Sequence, residues 1–135
     1  MLRDLPHNLK LISGAVAVPT DNTAVVSAIV DTKDFERVMF AIVTGTLADA
    51  GAEFTTKLEE SIDSGLSDSN EVADADMIGT ELAASFTQAN DNAVLGLGFT
   101  GTKRYVRLTI TPTNNAGAAP IGWLALGVPR VRPAA

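Results

Sequence analysis

The sequence predicts an all-β protein: one antiparallel β-sandwich, jelly-roll-like, spanning residues 1–135, with extended arm segments at 1–20 and 112–135. Three observations predict it. Several runs alternate apolar and polar residues with a period of two, as strands do when they bury one face. No segment makes a convincing amphipathic helix, since the best candidate, Asp76 to Ser85, is short and contains Gly79. Hydrophobic residues make up 46% of the chain but aromatics only 5%, so the core is built from small and β-branched side chains, which suits sheet packed on sheet.

Taken in order, residues 23–30 (TAVVSAIV) form a largely apolar run, and 37–44 (RVMFAIVT) set Val38, Phe40 and Ile42 on one side. Residues 53–62 give the clearest alternation, with Phe54, Thr56, Leu58 and Ile62 inward and Glu53, Thr55, Lys57, Glu59 and Ser61 outward. Glu60 breaks the inward pattern. A polar loop follows, then Met77-Ile78-Gly79 and a further short strand around Leu82 to Thr87. Residues 121–128 (IGWLALGV) close the series, giving about eight strands with turn-rich segments between them. The expected core is Phe40, Ile42, Phe54, Leu58, Val106, Leu108, Ile110 and Leu124. Pro6 and Pro19 near the start, and Pro112, Pro120, Pro129 and Pro133 near the end, mark the two terminal segments as extended arms.

The stretch VLGLGFTG, residues 94–101, carries the spacing G-x-G-x-x-G of dinucleotide-binding loops. That fingerprint works only where the glycines lead into a helix whose N-terminal N–H groups face a phosphate. Here they lead into Tyr105, Val106, Arg107, Leu108, Thr109, Ile110 and Thr111, a period-two strand. The segment is therefore expected to be a β-hairpin turning at Thr100-Gly101-Thr102, with Leu95, Leu97 and Phe99 on one face and Val94, Gly96 and Gly98 on the other. Gly96 and Gly98 then permit a bulge or close packing.

Cysteine is absent, which excludes disulfides, thiolate metal sites and a cysteine nucleophile. No apolar run reaches the length of a membrane helix, and the opening MLRDLPHNLKLISG lacks the hydrophobic region of a signal peptide, so a soluble chain made in a cytoplasm is expected. His7, the only histidine, sits in the first arm with no partner for acid–base chemistry or zinc in view. The acids Asp63, Asp68, Glu71, Asp74 and Asp76, with Asn70, offer oxygen ligands but miss the glycine and flanking helices of an EF-hand. They also do not make a glycosidase cleft. No enzyme activity, cofactor or metal is expected. A carbohydrate-binding or host-adhesion module remains the alternative, because sandwiches of this size carry binding loops.

Net charge is −6, but the signs are segregated. Between Asp49 and Asp91 the only base among many acids is Lys57, whereas Lys103, Arg104, Arg107, Arg130 and Arg132 follow with no acid after them. These five bases are the candidate partner-binding residues, by charge complementarity with a protein surface or a second copy. Overall acidity and the scarcity of aromatics around Arg104, Tyr105 and Arg107 argue against nucleic acid.

The strand Lys103-Arg104-Tyr105-Val106-Arg107, together with Leu58 to Asp68, Asp76-Met77-Ile78-Gly79 and Pro129-Arg130, resembles a family of small tailed-bacteriophage head proteins. The likeness covers roughly residues 25 to 132; the loop Ser67-Asp68-Ser69-Asn70 departs from it by lacking a glycine and an aromatic. The resemblance implies a capsid cement or decoration protein on the virion surface. Its partners would be the major capsid protein and itself, with a homodimer favoured over a trimer. Neither nucleic acid nor a membrane is implied as a partner.

Overall fold

Where the sequence alternates, the chain is extended. The computed structural model describes residues 4–131; among them are one short α-helix, α1 (Leu5–Asn8), two single-turn 3-10 helices at Asp74–Asp76 and Gln88–Asn90, and strands in both sheets of a sandwich. The strands are β1 (Lys10–Ala17), β2 (Val25–Val26), β3 (Val30–Asp31), β4 (Phe35–Thr44), β5 (Glu53–Ser61), β6 (Asn70–Glu71), β7 (Met77–Ile78), β8 (Phe86–Thr87), β9 (Val94–Phe99), β10 (Tyr105–Thr113) and β11 (Ile121–Pro129). Sheet A has the order β1-β11-β4-β9-β7 and sheet B the order β2-β10-β5-β6, with β3 also paired to β10 and β8 to β5. All pairings are antiparallel. No helix among the described residues is long and apolar enough to cross a membrane.

The core lies between two long ladders, β4–β11 in sheet A and β5–β10 in sheet B. Val38, Phe40 and Ile42 of β4 and Ile121, Trp123 and Ala125 of β11 meet Phe54 and Leu58 of β5 and Val106, Leu108 and Ile110 of β10, all buried. Rings pack within each sheet's inner layer: Phe40 and Trp123 of sheet A lie tilted with centroids 6.5 Å apart, and Phe54 and Phe86 of sheet B stack at 5.0 Å. Of the expected core, Leu124 is the exception. Trp123 and Ala125 point inward, so Leu124 between them points out of the sandwich and is only half-buried.

The end of β5 also departs from expectation. Glu60 keeps the inward parity and is buried, at 8% exposure, with its Oε2 lacking a hydrogen-bond partner. Ser61 keeps the outward parity but is buried as well, because the following loop folds back over it: its hydroxyl meets the Asp68 carboxylate and accepts the Asp63 N–H. Ile62, beyond the strand, is exposed rather than inward. Residues 23–30 form two short strands instead of one, because Ser27 interrupts the run. Its N–H donates to the Leu108 carbonyl at 2.8 Å, while its hydroxyl accepts the Leu108 N–H at 2.9 Å. Around Leu82 to Thr87 only Phe86–Thr87 is strand.

Residues 94–113 are not a hairpin. β9 pairs with β4 and β7 in sheet A, whereas β10 pairs with β2, β3 and β5 in sheet B, so the intervening segment crosses between the sheets. Gly101 makes the crossing possible. A Cβ there would lie 2.7 Å from the Phe99 ring and 3.0 Å from Glu60 Oε2. No helix follows these glycines, so the nucleotide fingerprint lacks its phosphate-facing N-terminus.

The arms are corrected too. Residues 10–17 form edge strand β1, laid along β11, and the strand read at 121–128 is present as β11, interior between β1 and β4 rather than part of an arm. The prolines misled because strand ends and irregular registers tolerate them: Pro129 ends β11 where its pairing with β4 shifts register. Residues 1–3 and 132–135, including Pro133, lie outside the described residues.

Side chains take the place of neighbouring strands along part of β5. The Thr56 N–H donates to Ser85 Oγ at 3.0 Å and the Leu58 N–H to Glu81 Oε1 at 2.8 Å, so these groups are closed to another strand.

Leu108→Ala should cost about 2–5 kcal/mol, the usual range for a buried leucine, and Leu124→Ala clearly less; equal losses in denaturant unfolding would contradict the assigned faces. Burial, then the nearby Asp76 carboxylate, push the Glu60 carboxyl above its ordinary range, with Lys103 opposing. A folded pKa above the unfolded one stabilises fully below the unfolded value, and that contribution is lost as pH rises through the folded value. Glu60→Gln should therefore melt higher than wild type at neutral pH, with the gap closing as the solution is acidified. A variant that melts lower at pH 7 would show that the charged form is needed.

Candidate docking face

The two outer faces of the sandwich differ in kind. Sheet B turns Tyr105, Arg107, Thr109, Thr111 and Thr113 of β10 and Glu53, Thr55, Lys57 and Glu59 of β5 outward, with Val26 at one edge. That is a wetted face. Sheet A turns outward Leu11, Gly14 and Val16 of β1, and Gly122, Leu124, Leu126 and Val128 of β11. Across β4, β9 and β7 the same face continues through Met39, Ala41 and Val43, then Val94, Gly96 and Gly98, to Ile78. Among the described residues, Arg37 is the one charged side chain at a paired outward position of this sheet, with Glu36 beside it where the register shifts.

These apolar side chains are open to solvent, with Val16 77%, Val94 72% and Ile78 64% exposed. A contiguous apolar sheet surface of this kind makes the face a candidate interaction site. The glycines shape it. A Cβ at Gly98 would sit 3.1 Å from the Ile78 Cβ, and one at Gly96 3.1 Å from the Met39 Cε, so these positions allow close packing, with no bulge in the β4–β9 register. They floor a trough of about 440 Å³ walled by Met39, Ile78, Leu126 and Val128. A second trough, about 520 Å³, runs over Gly14, Val16, Val43 and Gly122.

The candidate bases do not gather on this face. Arg104 forms a two-point pair with Asp31, 2.8 Å at both contacts, and its guanidinium lies 5.0 Å over the Tyr105 ring. The pairing holds Asp31 below the usual carboxylate range and raises Arg104. Arg107 meets Glu59 at 3.3 Å on the outer face of sheet B, with Thr109 Oγ1 donating to the same carboxylate at 3.0 Å. Burial works against the Glu59 charge, but Thr109 and Arg107 outweigh it and hold the group below its ordinary range. Lys103 is half-buried at the crossing near Glu60. Arg130 donates from Nε to the Lys33 carbonyl at 2.9 Å. Arg132 lies outside the described residues.

Arg104, just before β10, and Arg130, just after β11, thus hold one segment, 31–34, while Arg107 belongs to a surface ladder. The residue that sequence reasoning missed is Arg37. Its signal was parity: it lies two positions before Met39 on the face opposite Val38, Phe40 and Ile42.

The acids serve the loops that carry them. Asp63 Oδ2 accepts the Gly65 N–H, the Ser67 N–H and the Ser67 hydroxyl, and these bonds lower its pKa. Among the described residues no group of three or more His, Cys, Asp or Glu converges as metal ligands would. His7 pairs with Asp4 at 2.5 Å, both exposed. Trp123 faces the core and Tyr105 lies beneath Arg104, so neither ring is a free platform for a sugar.

Compared with protein-family models and with curated proteins, the chain matches none.

Val94→Thr and Ile78→Thr should leave the melting temperature near wild type, because both side chains already stand in water. They should reduce binding of an apolar dye such as anilinonaphthalene sulfonate. A fall of several degrees in either variant would mean that these residues pack within the fold rather than present a surface.

Proposed function

We propose that this chain is a structural protein of a tailed-bacteriophage head, a decoration protein that attaches to the outside of the shell and bridges its subunits without doing chemistry. One observation carries the reading: the outer face of sheet A is apolar across its width, while that of sheet B is polar. Burying the apolar face against a shell would supply the attachment energy, at roughly 25 cal/mol for each Å² of apolar surface removed from water. The strand order adds support. With β2 and β3 sharing one position and β6 and β8 another, it reads as the jelly-roll connectivity found in many viral shell domains. A second copy, as a dimer in preference to a trimer, fits beside the first on the same shell.

In this reading the basic strand that first suggested the family acts mainly within the fold. Exposed ion pairs are worth only about 0–1 kcal/mol and are screened within about 8 Å at physiological salt, so charge steers the contact more than it holds it.

The test uses heads assembled from the genome that encodes this chain, with its reading frame deleted. Purified wild-type protein should bind these heads and raise the temperature at which they rupture. Leu126→Asp and Met39→Asp, on sheet A, should abolish binding, whereas Thr109→Asp on sheet B should not. Binding unaffected by the sheet A variants, or no binding at all, would refute the assignment.

A further inference from the structure

The apolar trough of sheet A does not end in open water. At the end where β4 begins and β11 finishes, Arg37, Val38, Phe99 and Thr100 line both the trough and a second, polar cleft of about 310 Å³. The cleft is completed by Thr32, Phe35, Glu36, Gly101, Thr102 and Arg130. Two arginines therefore line the polar cleft at the mouth of the apolar trough.

Their circumstances differ from those of the other bases. Arg104 and Arg107 are neutralised by Asp31 and Glu59. Arg37 makes no hydrogen bond or ion pair to a described residue, and Arg130 spends only Nε, on a neutral carbonyl. That bond fixes the Arg130 side chain at the cleft while leaving its terminal nitrogens to donate. Glu36 lines the cleft as well, but it is already held in an interaction. Guanidinium donors that lack a carboxylate, beside the threonines Thr32, Thr100 and Thr102, suit a planar anionic acceptor.

We infer that the trough and the cleft together take one extended polypeptide segment of the partner, with aliphatic side chains along the trough and a carboxylate, from Asp, Glu or a chain terminus, between Arg37 and Arg130. The carboxylate fixes direction and register, and the aliphatic side chains supply the affinity. A protein segment suits this face better than a lipid surface. The troughs are glycine-floored, and the paired outward positions of the face carry neither lysine nor an aromatic residue, while the chain as a whole is acidic. The inference rests on the reading of sheet A as the docking face, and names the chemistry of what docks there.

The experiment is a selection of twelve-residue linear peptides from a random display library against the folded full chain, followed by fluorescence anisotropy with the recovered peptides. Recovered sequences should share aliphatic residues at alternate positions and one acidic residue or a free C-terminal carboxylate at a constant offset. Replacing that acid by its amide should weaken binding roughly tenfold, as loss of a charge-assisted contact does. Arg37→Gln and Arg130→Gln should each weaken the acidic peptide by a similar factor and leave its amide version unchanged, while Leu126→Asp abolishes both.

Peptides that lack an acidic group, or that bind the arginine variants as tightly as wild type while losing Leu126→Asp, would overturn the arginine-cleft inference and leave the docking face standing. If Leu126→Asp binds like wild type, the docking face itself fails. Recovery of no peptide, with the chain instead binding phosphatidylcholine vesicles, would overturn the inference in favour of a lipid surface, and recovery of none with no vesicle binding would overturn it outright.

Discussion

The packing of the β4–β11 ladder against the β5–β10 ladder organises the molecule. In each long strand alternate residues are committed to that contact: Val38, Phe40 and Ile42 in β4, Trp123 and Ala125 in β11, Leu58 in β5, and Val106, Leu108 and Ile110 in β10. The period of a strand then leaves no freedom over the remaining residues, which must face outward. Sheet B fills those positions with Thr, Glu, Lys and Arg. Sheet A fills them with Leu, Val, Met, Ala and Gly. The core contact determines where the outward positions lie, and the choice of side chains makes one of the two surfaces apolar and the other polar.

Close packing also explains the unusual chemistry at one end. β9 and β10 belong to opposite sheets, so the chain must cross the thickness of the sandwich within a few residues. It does so over Gly101, against the Phe99 ring and the inward Glu60. A carboxylate enclosed in this way is held above its ordinary pKa by desolvation, with Asp76 adding to the effect. The same crossing brings Thr100 and Thr102 beside Arg37 and Arg130, so the polar cleft results from the path of the chain between sheets.

Much of the fold was legible because burial imposes a period on the sequence. The long strands β4, β5, β10 and β11 follow the alternation, and the inward sets of β4 and β10 are as read. Which strands pair was not legible. Residues 94–99 and 105–113 look like the two halves of a hairpin because period and proximity say nothing about sheet membership, and only tertiary packing separates them. The strand at 121–128 was legible, but the prolines around it suggested an arm, whereas it is interior to sheet A, since pairing and burial outweigh an end-of-strand proline. The clustering of bases along the chain does not show which are neutralised, because the partners of Arg104 and Arg107 are distant in sequence: Asp31 is 73 residues from Arg104 and Glu59 is 48 from Arg107. Val94, Gly96 and Gly98 were assigned correctly to the face opposite Leu97 and Phe99. That this face is one part of a larger apolar surface emerges only once β9 is set beside β4.

A folded molecule with one wetted face and one oily face has a consequence of its own in solution. It is a rigid amphiphile, so at an air–water or oil–water boundary it gains free energy by lying flat with sheet A toward the non-aqueous side and sheet B toward water. Unlike a protein whose apolar side chains are all in its core, it needs no unfolding to do so. Adsorbed layers would share one orientation, presenting Glu53, Lys57, Glu59 and Arg107 to the aqueous phase, and surface tension would register the protein while it remains native.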